Sequence, residues 1–293
     1  MPETETIGYS DHFFTTSDGP RLHYRDYDPV GDVRGVPVVC LHGLTRNVKD
    51  FEDLAPQIAA LGRRVIVISM RGRGLSDFDP QTERYQPLIY AIDVVSLLDE
   101  AGLDKAVFIG TSMGALIALI IASQQSQRFA AAVLNDIGPE ISSAGLDRIM
   151  SNVSSRDPAK DWDEAARRTR SDNQDVFPKR LEDAAFWHDL AHKTWIENDA
   201  GQLVYDYDGA IFDQMGGDEP LPDLWPFFEA LHDIPTLSVR GEITDLFSQE
   251  TLVEMKRRKP YLETVEVPDV GHAPFMTEPE AWQALEAFLQ RVE

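Results

Sequence analysis

Cysteine is almost absent from this 293-residue chain: Cys40 is the single one, so no internal disulfide can form. Basic residues are scarce too, with 27 Lys and Arg against 50 Asp and Glu, which gives a formal charge of -23. A surface of that sign repels phosphate backbones and anionic lipid, which argues against a nucleic-acid partner. Long apolar runs are also missing. The longest, Ala115 to Ala122 and Phe129 to Leu134, fall well short of the roughly 18 residues that a membrane span requires. The polar start Met1-Pro2-Glu3-Thr4-Glu5-Thr6 lacks the basic and apolar regions of a secretion signal. These absences lead us to expect a cytoplasmic protein that neither crosses a bilayer nor binds nucleic acid. No internal repeat or low-complexity tract is visible, and the composition excludes disorder, collagen and coiled coil. What is present, 43% apolar, 26% charged and 9% aromatic residues, suffices for one large core or at most two domains.

Up to Leu134 short apolar runs alternate with longer segments of helical period, the pattern of a mostly parallel sheet crossed over by helices. His12 to Thr16 and Leu22 to Tyr27 read as an opening antiparallel pair around Ser17-Asp18-Gly19-Pro20, a turn too short for a parallel crossover. Val38 to Leu41, Val65 to Ser69, Ala106 to Ile109 and Ala131 to Leu134 are continuous Val/Ile/Leu/Ala runs of the kind buried on both faces. Between them Phe51 to Leu61, Leu88 to Leu103 and Met113 to Ser123 carry helical spacing. The rhythm resumes with Thr236 to Val239, a helix near Gln249 to Arg257, Thr264 to Val267 and a closing helix from about Glu278 to Arg291. From Pro139 to about Trp225 it disappears. That stretch holds amphipathic pieces, Leu146 to Val153, Trp162 to Arg170 and Leu181 to Trp195, and reads as a helical insertion over one end of the sheet.

Gly110-Thr111-Ser112-Met113-Gly114 joins a strand candidate to a helix candidate. A serine at so sharp a strand-to-helix turn adopts a strained backbone that lifts its hydroxyl clear of the sheet edge, while the flanking glycines let strand and helix pass closely. The N–H of Met113, at the helix start, has no partner inside the helix and can donate to a developing oxyanion. The plainer reading is a helix-capping serine. A serine hydroxyl needs a base, and of the seven histidines His272 fits best: it follows the last strand candidate, with Gly271 and Pro274 shaping its loop. His12 and His23 fall on the early strands. His188 and His192 share a helix face in the insertion but have no acidic or thiol partner in pattern, so no metal site is expected. The acid that orients the base is expected at Asp245, after the strand Thr236 to Val239. Glu242 competes with it, and Asp136, one strand earlier, is a further candidate that reads more readily as a loop-capping aspartate. Leu41-His42-Gly43-Leu44-Thr45 should supply the second oxyanion donor, the N–H of Leu44, with His42 tying the loop.

Leu41-His42-Gly43, Met70-Arg71-Gly72-Arg73-Gly74-Leu75-Ser76, Gly110 to Gly114, Gly241 to Asp245 and Gly271-His272 follow one another in an order that resembles the α/β-hydrolase fold superfamily over essentially the whole chain. Within it the sequence is most similar to the group of 3-oxoadipate enol-lactonases, meta-cleavage-product hydrolases and small carboxylesterases. The resemblance implies a mostly parallel sheet of about eight strands flanked by helices, with a helical cap inserted between strands 6 and 7. Core 1–138 and 227–293 and cap 139–226 would be the two units. It also implies a Ser112, Asp245, His272 triad with Leu44 and Met113 N–H groups as oxyanion hole. Ser69 departs from the aspartate often found before the Arg-Gly-x-Gly-x-Ser turn. Leu44-Thr45 lacks the proline of epoxide hydrolases, and the serine nucleophile also speaks against epoxide and haloalkane chemistry.

The expected reaction is hydrolysis of a small to medium, largely apolar ester or lactone through an acyl-enzyme, needing no cofactor and no metal. Carbon–carbon hydrolysis of a vinylogous diketone is the nearest alternative. A ligand-binding, lyase or perhydrolase role would come from a different class of the same fold. Candidates to line the substrate pocket are Arg46, Asn47 and Phe51 after the oxyanion loop and Trp187, Trp195 and Trp225 in the insertion, together with Phe186, Tyr205 and Tyr207. A monomer or a homodimer is compatible with the sequence.

Overall fold

The computed structural model describes residues 8–152, 157–213 and 222–293. Among them the main sheet has eight strands: β1 (Ser10–Thr15), β2 (Arg21–Tyr27), β3 (Val38–Leu41), β4 (Val65–Ile68), β5 (Ala106–Thr111), β6 (Phe129–Asn135), β9 (Thr236–Gly241) and β10 (Glu263–Val267). Their order is β1-β2-β4-β3-β5-β6-β9-β10. The β1–β2 and β2–β4 pairs are antiparallel and all others parallel. Alternation along the central strands explains why both of their faces are apolar. Val39, Leu41, Ile66, Ile68 and Phe108 enter one core cluster, while Val38, Cys40, Val65, Val67, Val107 and Ile109 enter the cluster on the other face. With helices on both faces, a polar side chain on these strands needs a partner within the protein.

Those helices are α1 (Ala55–Ala60), α2 (Pro87–Glu100), α3 (Met113–Gln125), α8 (Gln249–Arg258) and α9 (Pro279–Leu289). The expected helix from Phe51 begins later, at Ala55. Asn47 caps a separate 3-10 turn over Val48–Phe51 first, its side-chain oxygen accepting from the N–H of Lys49 at 2.9 Å. The chain goes from β3 to β4 on one side and returns to β5 on the other, so the sheet reverses direction between β3 and β5. Ligands of open parallel sheets bind at such a point, outside the C-terminal strand ends. There the register pairs Leu41 with Gly110 and Thr111 with Asn135, so the residues following β3, β5 and β6 emerge side by side.

The insertion between β6 and β9 carries α4 (Ser143–Asn152), α5 (Trp162–Asn173), α6 (Ala184–Thr194) and α7 (Trp225–Glu229). The amphipathic piece expected to end at Val153 runs past the described residues there. The insertion is not wholly helical: Trp195 leaves the expected helix and opens a hairpin of β7 (Trp195–Glu197) with β8 (Leu203–Tyr205). Asn198 closes its turn by accepting from the N–H groups of Ala200 and Gln202. Ala165, Trp187, Leu190, Trp195 and Leu203 form a separate apolar cluster, and Phe177 stacks on Phe275 of the sheet-edge loop with ring centroids 5.1 Å apart. Hydrogen bonds and ion pairs fasten the insertion to the segment after β3. Asp206 accepts from Asn47 Nδ2 at 3.0 Å and pairs with Lys49 at 2.8 Å, and Lys193 pairs with Asp53 at 2.5 Å. No described helix is long and apolar enough to cross a membrane.

Candidate active site

Ser112 stands between β5 and α3 with φ 53° and ψ -115°, a strained conformation for a side chain larger than glycine. The flanking glycines explain how so tight a turn is accommodated. A Cβ on Gly110 would lie 2.4 Å from the backbone nitrogen of Ala115, and one on Gly114 only 2.0 Å from the carbonyl oxygen of Leu41. His272 Nε2 is 2.8 Å from Ser112 Oγ, and His272 Nδ1 is 2.8 Å from Asp136 Oδ2. Asp136 follows β6 directly with φ 55° and is fully buried. Its Oδ1 accepts from the N–H of Gly241 at 2.7 Å, and its Oδ2 also accepts from the hydroxyl of Thr244 at 2.7 Å. A carboxylate that only accepts obliges His272 Nδ1 to carry the proton, which leaves the Nε2 lone pair facing the Ser112 hydroxyl. The preceding residue sets the loop: Asn135 Nδ2 donates to the carbonyl of Pro274 at 2.7 Å and to Thr111 Oγ1 at 3.0 Å.

Asp245, the expected acid, is not the partner of His272. Its carboxylate is held by Arg148 of α4, with Nε and Nη2 at 2.5 and 2.8 Å. That pairing depresses its pKa against the opposing effect of burial. Glu242 instead accepts from the N–H of Asp269.

On the opposite side of Ser112 the loop after β3 turns over Gly43 to Arg46, closed by the Arg46 N–H to the Gly43 carbonyl at 3.2 Å, a bond that leaves the N–H of Leu44 out of the turn. His42 braces this loop from below: Nδ1 donates to the Gly43 carbonyl at 2.6 Å, and Nε2 accepts from the N–H of Met70 at 3.0 Å. Complete burial pushes its pKa down to about 3, so the ring stays neutral. Arg73, also buried, had drawn no role from the sequence beyond its place in a motif. It donates through Nε to the Leu44 carbonyl at 3.0 Å and through Nη1 to Tyr90 at 2.8 Å, with Nη2 3.9 Å from Met113 Sδ. One guanidinium thus touches both residues whose N–H groups are the expected oxyanion donors.

A cavity of about 150 Å³ opens on Ser112 and His272. Its core-side wall is Gly43 to Arg46, Asp50 and the 272–275 loop; its far wall includes Arg148, Thr169, Asp172, Asn173, Thr194, Tyr205 and Tyr207. Polar groups are far more numerous than the expected apolar pocket implied. Of the proposed lining residues Arg46, Tyr205 and Tyr207 are there, while six others are absent from the wall and have structural work elsewhere, Phe186 packing edge-on against Phe177 and Trp187. Asn47 is the cap and tether described above, and Phe51 is buried in the core beneath the sheet. Trp187 donates to the Arg180 carbonyl at 2.8 Å, Trp195 to Thr169 Oγ1 at 3.0 Å, and Trp225 to Glu140 at 3.0 Å beneath the Arg258 guanidinium. Buried indole rings need both apolar neighbours and a partner for their N–H, and these sites supply both. His188 faces Asp163, and the His192 ring packs tilted against Trp162 with centroids 3.9 Å apart. Among the described residues no three His, Cys, Asp or Glu side chains converge as a metal site would require.

A sequence profile of the alpha/beta hydrolase fold family matches residues 36–193. The 3-hydroxybutyrate-oligomer hydrolase of Cupriavidus necator is 31% identical over 268 residues, which span 88% of this chain and 90% of that protein. The sn-1-specific diacylglycerol lipase of Danio rerio is 27% identical, over 88% of this chain and 78% of that one. Among solved structures, an alpha/beta hydrolase from Novosphingobium aromaticivorans superimposes with a TM-score of 0.90 at 41% identity, covering 97% of this chain and 99% of that one.

Proposed function

Because the chain belongs to the α/β-hydrolase fold family, we propose that it hydrolyses a small carboxylic ester or lactone through an acyl-enzyme on Ser112, with His272 as base and Asp136 as the acid that orients it. The observation that carries this reading is the unbroken relay of two 2.8 Å hydrogen bonds from Ser112 through His272 to Asp136. His272 Nε2 takes the serine proton as Oγ attacks the carbonyl, and Asp136 stabilises the imidazolium that results. The developing oxyanion receives the N–H groups of Leu44 and Met113, preorganised donors of which each is worth roughly 10²–10³ in rate. His272 then returns the proton to the leaving oxygen, and water, deprotonated by the same nitrogen, releases the acid from Ser112.

The cavity narrows the choice of substrate. At about 150 Å³ it is smaller than the roughly 300–1,000 Å³ of sites for drug-sized ligands, so short acyl groups fit the reading better than long ones. The names of the two curated relatives describe a hydrolase of a hydroxybutyrate oligomer and a lipase of diacylglycerol, both consistent with ester cleavage. Stoichiometric labelling by a fluorophosphonate together with pH-stat turnover of ethyl butyrate tests the proposal. Ser112→Ala should abolish the label and lower kcat by at least about 10⁴-fold at an unchanged melting temperature; undiminished turnover in that variant would refute it.

A further inference from the structure

Two charged side chains in the cavity have unused hydrogen-bonding atoms. Arg46 Nη1 and Asp50 Oδ1 are each buried and lack any hydrogen-bond partner. The two residues face one another at a distance too long for a hydrogen bond, with Arg46 Nε 3.7 Å from Asp50 Oδ1. Both line the wall that holds Ser112. Their charges attract at that distance, but a buried donor and a buried acceptor without a hydrogen bond from the protein remain unfavourable until something completes them. Such a pair is complete when a ligand supplies what both lack.

The charges decide which ligand. An arginine alone in this wall would select a carboxylate. Asp50 cancels that field, since an anion drawn to Arg46 would meet a carboxylate within a few ångströms. The group that satisfies both is neutral and offers an acceptor and a donor on one atom, which is a hydroxyl. Location fixes where on the substrate it sits. Arg46 closes the turn that presents the N–H of Leu44, and the point where a Gly43 Cβ would stand is 3.8 Å from Arg46 Cγ and 3.9 Å from Ser112 Cβ. The alcohol half of an ester must leave past His272, whose Nε2 protonates it; the oxyanion turn meets the acyl half instead.

We propose that Arg46 and Asp50 are a specificity pair for a hydroxyl on the acyl chain, a few bonds from the carbonyl that Ser112 attacks: the hydroxyl accepts from Arg46 Nη1 and donates to Asp50 Oδ1. This rests on the hydrolase reading above and names its substrate class as short hydroxyacyl esters. Two fixed partners also make the site chiral, so one enantiomer is favoured.

The test compares ethyl butyrate, the two enantiomers of ethyl 3-hydroxybutyrate and monoethyl succinate by pH-stat on the intact protein. The better hydroxy ester should exceed ethyl butyrate in kcat/KM by roughly 10- to 100-fold, the range of a hydrogen bond to a charged group, and monoethyl succinate should fall below both. Arg46→Met and Asp50→Asn, checked for folding by thermal melts, should bring the hydroxy-to-plain ratio below about 3 and erase the enantiomer preference. Turnover of ethyl butyrate without preference for either hydroxy ester, or a preference for the succinate, overturns the pair while leaving the hydrolase intact. A folded variant that keeps the full ratio overturns it too, and if a variant fails to fold the wild-type comparison alone still decides. If no ester is turned over and the fluorophosphonate leaves Ser112 unlabelled, the hydrolase reading falls first and takes this one with it.

Discussion

Asp136 and Asp245 bring the same carboxylate to one sheet edge, and their surroundings give them different work. Asp136 is sealed beneath His272 with both oxygens bonded, whereas Asp245 has a 40% exposed side chain and answers to Arg148. Asp136→Asn should therefore reduce kcat for ethyl butyrate by about 10⁴-fold, since an amide that can donate favours the wrong imidazole tautomer. Asp245→Asn should stay within about tenfold of wild type in the same assay. The reverse ranking would restore Asp245 to the triad. Ser112 and His272 could be read from the chain because each lies in a local pattern, a strand-to-helix turn and a glycine-flanked loop. Asp136 could not, because a lone aspartate after a strand looks the same whether it caps a loop or orients a base. What separates the two is its contact with Gly241, Thr244 and His272, which only the folded sheet creates. The open atoms of Arg46 and Asp50 were equally hidden, since a missing partner is a property of packing.

At the level of elements, the joint between β5 and α3 carries Ser112 and tolerates almost no added volume. A methyl on Gly114 would meet the Leu41 carbonyl oxygen at 2.0 Å, a backbone atom of the strand that leads into the oxyanion loop. Gly114→Ala must then displace α3 from the sheet, with an expected loss above roughly 3 kcal/mol. For a chain of this size that is a fall in melting temperature of about 5 °C, measurable by calorimetry; an unshifted transition would mean that the helix can move freely. The strands and flanking helices were legible because alternation and helical period persist over several residues. The β7–β8 hairpin was not: strands of three residues are too short to show a period of two, and Trp195 continues the apolar stripe of α6. The three tryptophans proposed for the pocket were misplaced for a related reason, since large aromatic size signals burial without saying against what.

For the molecule as a whole, neutral buried histidines tie stability to pH. His42 has its pKa pushed from 6.5 to about 3 by burial, and His23 is lowered for the same reason despite its bond to Asp11. The unfolded chain protonates these rings first as pH falls, so the stability they contribute is complete above 6.5 and declines below it, by up to about 1.4 kcal/mol per pH unit for each ring. Asp18, held at about 2 by Arg71, adds to the loss only below pH 4. Asp93, raised to about 6 by burial against its bond with Arg71, works in the opposite sense but only from about pH 6 downward. Denaturant midpoints should therefore drop between pH 7.5 and 6, and a midpoint that rises over that interval would contradict neutral burial of both rings. The tethers at Asn47, Lys49 and Asp53 have a consequence of another kind. They bind the roof over the cavity to the stretch of chain that also shapes the oxyanion turn, so the roof is not an exchangeable part. A chimaera that borrowed residues 139–226 from a relative would lose the anchors Lys193 and Asp206 unless residues 47–53 travelled with the graft, and new specificity would have to be bred into both pieces at once.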